Sequence, residues 1–113
     1  MSLVNMKEML SAARKAKKAV GAFNVTNYET AAAVLKAAEA ENEPVIIQLY
    51  MRLFDTGKAY DLAGTLQRLA YRGKVPVALH LDTARRSSRR PMPWHGAILP
   101  SCTTVRVRHT TRT

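Results

Sequence analysis

Three apolar runs in this chain each close on polar side chains. Asn24 lies near the end of residues 19–25, Gln48 near the end of residues 45–50, and His80 and Asp82 close residues 75–82. Two carboxamides, an imidazole and a carboxylate drawn from three separate strand ends can form a ligand site on a parallel α/β sheet, because ligands bind beyond the carboxyl ends of such strands. Successive residues of a strand alternate between faces, so His80 and Asp82 share one side and Leu81 takes the other. Each residue also has a plain structural use: His80 as a hydrogen-bonded core histidine, Asp82 as a turn or helix-cap residue. The set is harder to explain that way, because its members come from different strands.

The elements that must position these groups are legible from local pattern. Residues 5–18 predict a helix. Asn5 can cap it, Glu8 follows at capping-box spacing, and Met6, Met9, Leu10 and Ala13 recur at helical period. Arg14, Lys15, Lys17 and Lys18 fall at its end, where the helix dipole favours cations and where a solvated helix end explains them better than a nucleic-acid patch does. Residues 19–25 predict a short buried strand. Asn27 can cap an alanine-rich helix that runs to about Asn42 and stops at Glu43-Pro44, since a residue before proline avoids the helical region. Residues 45–50 form a β-branched strand, residues 54–60 a loop, and residues 61–72 a helix with Leu62, Leu66 and Leu69 inward. Gly73 is placed to end that helix. Residues 75–81 give the third strand, with Pro76 tolerable near its start.

Helix and strand therefore alternate, with strands starting roughly every 30 residues, which is the rhythm of βαβ units and a parallel sheet. Continuous apolar strands suit a sheet covered on both faces or closed into a barrel. The expected fold is α/β: the first three β/α units of a TIM (β/α)8 barrel, incomplete, because 113 residues cannot supply the roughly 250 of a whole barrel. Three units alone would leave open sheet edges and an unclosed apolar interior, so the isolated chain is expected to aggregate or fold poorly.

The rhythm stops at Asp82, which divides the chain into residues 1–82 and a basic tail, 83–113. All eight acids lie in the first segment, with eleven of the eighteen Lys and Arg; the tail holds seven Arg, no Lys and no acid. The net charge of +10 is therefore mainly the tail's. The tail carries three prolines and no sustained apolar period, and is expected to be largely disordered. Cys102 is the only cysteine, so no intrachain disulfide forms, and a reducing cytoplasm is compatible. The N-terminus has no long apolar stretch, so neither a signal peptide nor a membrane-spanning helix is expected.

Gly21-Ala-Phe-Asn-Val25, Pro44-Val-Ile-Ile-Gln48 and Val75-Pro-Val-Ala-Leu-His-Leu-Asp82, in this order and at these separations, resemble the opening of the class II, zinc-dependent ketose-bisphosphate aldolases, which include fructose- and tagatose-bisphosphate aldolases. The start, Met1-Ser-Leu-Val-Asn-Met-Lys-Glu, is similar too. The resemblance implies reversible, metal-dependent aldol cleavage of a ketose bisphosphate to dihydroxyacetone phosphate and an aldehyde phosphate, by a cytoplasmic homodimer or higher homo-oligomer of carbohydrate metabolism. It implies that Asp82 is the catalytic aspartate, handling a proton on the C4 side, and that Asn24 and Gln48 belong to the substrate pocket. The family usually follows that aspartate with a zinc-binding histidine; here Thr83 stands in that place, and Tyr50 stands where a serine is common. A catalytic zinc typically needs three protein ligands and an open position. His80, His95 and His109 show no such pairing, so no metal ligands are assigned and this chain is expected to be inactive.

A one-base shift of reading frame accounts for the tail. Reading the last base of one codon with the first two of the next turns Thr83, Ala84, Arg85 and Arg86 into a permitted His-Gly-Ser-Ser, which is similar to the family's continuation. The single codons of Met92 and Trp94 force alanine at 93 and 95, and the same shift permits Ser-Val-Met-Tyr-Asp-Gly-Ser at residues 100–106, which resembles the family's fourth strand. The competing reading is a small basic protein that binds nucleic acid through its arginine-rich tail. Such binding would be non-specific and salt-sensitive, and Trp94 is the tail's only aromatic for base stacking.

Overall fold

The computed structural model describes residues 3–50 and 58–82. Residues 83–113, for which disorder was expected, lie outside the described residues. The first helix, α1, spans Met6–Lys15; Asn5 caps it, its side-chain oxygen accepting from the Lys7 N–H at 2.8 Å. It ends three residues earlier than its charge pattern suggested. The chain reverses at Lys17, whose φ of 54° is left-handed, and the Lys18 N–H returns to the Ala13 carbonyl. Only Arg14 and Lys15 thus occupy the last turn. Lys18 instead reaches Glu43 at 2.9 Å.

Strand β1 spans Gly21–Val25, followed by α2, Tyr28–Glu41. A reciprocal capping box starts α2: the Thr30 N–H donates to Asn27 Oδ1 at 2.9 Å, and the Asn27 N–H donates to Thr30 Oγ1 at 3.2 Å. The helix stops at Asn42 (φ 53°, ψ 41°), in the left-handed conformation that asparagine tolerates better than most residues. The Glu43 N–H then closes on the Ala38 carbonyl. The stop therefore comes from this cap, one residue before the expected Glu43-Pro44 break.

Strand β2 covers Val45–Tyr50, α3 covers Lys58–Arg72, and β3 covers Val77–Asp82. Helix α3 begins at Lys58, inside the segment expected as loop; residues 51–57 are outside the described residues. Its buried face is built as much from Ala59, Ala63 and Ala70 as from Leu66, with Leu62 and Leu69 only partly covered. Gly73 does follow the helix, but its φ is not left-handed. A Cβ there would come within 3.1 Å of Leu35 Cδ1, a tight approach that the leucine would have to yield to by a few tenths of an ångström, and 3.5 Å of Val77 Cγ2, an ordinary contact. Pro76 precedes β3 rather than lying in it, and its carbonyl accepts from the Val45 N–H at 3.1 Å.

The three strands form one parallel sheet in the order β1-β2-β3. Alternation divides its side chains between two cores. Val25, Val45, Ile47, Leu49, Val77 and Leu79 pack with Ala31 and Leu35 of α2 and with the buried face of α3. On the other face Ile46 and Ala78 pack against Met6 and Met9 of α1. Helices α2 and α3 thus cover one side of the sheet, while α1 closes the amino-terminal part of the other.

The expectation of a buried first strand is corrected. Only Val25 of β1 is buried, and Phe23 is 51% exposed. β1 has a neighbour on one side only, as β3 does, but β3 is packed between α1 and α3 whereas β1 has only α2 beside it, so apolar composition did not secure its burial.

Candidate active site

The site lies on the sheet face that α1 leaves open toward the strands' carboxyl ends. In-register pairing builds it layer by layer. Ala22, Ile46 and Ala78 are aligned across the three strands, and Met6 and Met9 seal Ile46 and Ala78 from below. Two residues further along each strand, Asn24 pairs with Gln48 and Gln48 with His80. One step beyond, Tyr50 is opposite Asp82. The polar groups therefore form a row across the sheet above an apolar floor.

Gln48 and His80 are half-buried and joined by a hydrogen bond, 3.0 Å between Gln48 Nε2 and His80 Nδ1. With the amide nitrogen turned toward the ring, Nδ1 accepts and the ring proton lies on Nε2; with the amide oxygen turned toward it, the proton lies on Nδ1. Asn24 completes the row from the exposed edge strand. His80 thus has the hydrogen-bonded role expected of a core histidine, yet it has that role inside the candidate site. The tertiary arrangement brings Asn24, Gln48 and His80 into one row and sets Asp82 two residues beyond His80 on β3.

The Gln48–His80 bond was missed in the sequence reading, although a signal for it existed. Both residues are fourth in their strands, so laying Val45 beside Val77 would have paired them.

Among the described residues, no three His, Cys, Asp or Glu side chains converge to hold a metal ion. His80 Nδ1 is occupied by Gln48, and Thr83 supplies no imidazole. These residues do not make a zinc site by themselves. No described helix is long and apolar enough to cross a membrane.

The sequence model for "Fructose-bisphosphate aldolase class-II" matches residues 4–90. A 6-phospho-5-dehydro-2-deoxy-D-gluconate aldolase from Halalkalibacterium halodurans is 46% identical over 85 residues, covering 73% of this chain and 30% of that protein. A fructose-bisphosphate aldolase from Geobacillus stearothermophilus is 44% identical over 88 residues, with the same coverage. The crystal structure of the YdjI aldolase from Escherichia coli K12 superposes with a TM-score of 0.69 at 29% identity, covering 74% of this chain and 32% of that one. The chain thus spans about 30% of the length of the curated relatives it matches.

Proposed function

The chain belongs to the class II fructose-bisphosphate aldolase family, and we propose that residues 1–82 form the opening wall of an aldolase active site that takes a phosphorylated ketose. The fold is that of the first three β/α units of an aldolase TIM barrel. The single observation that carries the proposal is the in-register row Asn24–Gln48–His80 at the carboxyl ends of the strands, with Asp82 next along β3. Active sites of β/α barrels lie at that end.

In this reading Asp82 is the acid–base group. In the cleavage direction its carboxylate takes the proton of the C4 hydroxyl, the C3–C4 bond breaks, and the bonding pair moves toward the C2 carbonyl. In the condensation direction it returns the proton to the new C4 oxygen. Asn24 and Gln48 line the pocket. No described residue supplies an electron sink for the C2 side; a bound zinc ion, which the family uses, would supply that Lewis acidity. For a ketose bisphosphate the products are dihydroxyacetone phosphate and an aldehyde phosphate, and the setting is a cytoplasmic homo-oligomer of carbohydrate metabolism. The named relatives act on a fructose bisphosphate and on a phosphorylated keto-deoxy sugar acid, and their near-equal identities do not choose between these substrates.

The same proposal assigns the residues after Asp82 to a shifted reading frame and holds the chain as it stands to be inactive, because Thr83 takes the place of an expected metal-binding histidine. Nothing in the relatives named above favours the alternative of a nucleic-acid-binding protein. The experiment is to sequence the coding DNA across and beyond the Asp82 codon, restore the frame, and assay aldol cleavage with and without added zinc. The expected result is zinc-dependent cleavage in the restored protein, lost in Asp82→Asn. An early stop in the shifted frame, or a restored protein without cleavage, overturns the reading.

A further inference from the structure

We infer that Gln48 is a positioning residue for His80, its carboxamide fixing the imidazole as the Nε2–H tautomer and holding the ring in the polar row. Its importance for catalysis rests on the aldolase reading; the contact itself does not.

The two side chains approach to 3.0 Å, a full-strength hydrogen-bond distance. They occupy adjacent register positions on β2 and β3, so sheet hydrogen bonding fixes the spacing of their backbones. Directly below them Ile46 and Ala78 are buried against Met6 and Met9, which gives the pair a packed floor and keeps bulk water from one side. Sites carried on strands over such support hold their geometry better than sites on loops. The Gln48 amide nitrogen is committed to Nδ1, so the ring's own donor is Nε2–H. Gln48 therefore acts on the ring of His80, whereas Asn24 adjoins the row from the edge strand. An amide turned by half a rotation would present Oε1 instead and require Nδ1–H, so the ring tautomer decides between the two arrangements.

The test is nuclear magnetic resonance on the full-length chain labelled with nitrogen-15. Long-range proton–nitrogen correlations report which ring nitrogen is protonated, and the His80 signals are identified by their loss in His80→Gln. The expected wild-type result is a protonated Nε2, a bare Nδ1, and a scalar coupling between Gln48 Nε2 and His80 Nδ1 across the hydrogen bond. In Gln48→Glu the carboxylate can only accept, so the Nδ1 signal should move to the protonated range and the coupling should vanish. In Gln48→Leu the coupling should vanish while the fold is kept. A protonated Nδ1 in the wild type, or an Nδ1 signal unchanged in Gln48→Glu, would each overturn the inference. No readout involves aldol cleavage, so the signature can hold while the aldolase reading fails, or fail while cleavage is found.

Discussion

Phe23 and Ile47 are direct neighbours in the register of β1 and β2, and the structure reverses the ranking that their sizes suggest. Ile47 is 0% exposed on the central strand, inside the core shared with α2 and α3. Phe23 lies on the edge strand and is 51% exposed. Truncating a fully buried isoleucine to alanine removes its transfer energy and leaves a cavity, at a cost of about 2–5 kcal/mol. A fully buried phenylalanine would cost about 3–5 kcal/mol. With half its surface already in water and no enclosed cavity left behind, Phe23→Ala should cost only about 1–2 kcal/mol. Against a total stability on the order of 5–15 kcal/mol for a domain, the isoleucine change is the one that threatens folding. Urea unfolding of the dilute full-length chain, followed by far-ultraviolet circular dichroism, measures both. Ile47→Ala should lower the midpoint clearly more than Phe23→Ala. Equal shifts, or a larger one for Phe23→Ala, would refute the assignment of β1 as the open edge. A frame-restored protein with further strands beside β1 should bury Phe23, and its truncation should then approach the full cost.

Two further outcomes test local devices. Asn27→Ala removes the acceptor for the Thr30 N–H and the capping box that starts α2, so stability should fall by about 0.5–2 kcal/mol in the same urea assay. Lys18→Ala breaks an ion pair whose side chains are 63% and 50% exposed; it should change stability by less than about 1 kcal/mol, and added salt should shrink even that difference.

Local pattern determined most of the elements. Alternating apolar runs and capping residues marked three strands and three helices in order, and strand composition with the helical connections indicated a parallel sheet. Those signals are short-range: a continuous apolar run, a 3.6-residue period, an Asn at a cap, a Pro that cannot continue a helix. The motifs around Asn24, Gln48 and Asp82 also identified the family, because they occur in order at characteristic separations. What depended on distant partners was not legible in the same way. That β1 is exposed despite its apolar residues follows from which helices pack beside it, α2 alone where β3 has α1 and α3, which composition does not encode. That Gly73 lies close against Leu35 follows from the packing of α2 beside the end of α3.

The site divides along the same line. The sequence supplied the polar strand ends one by one, and alternation put His80 and Asp82 on one face. Only the tertiary structure set Asn24, Gln48 and His80 in register and joined the last two by a hydrogen bond across 32 residues of chain. Residue type is local information, whereas register is decided by where whole strands find their hydrogen-bonding partners.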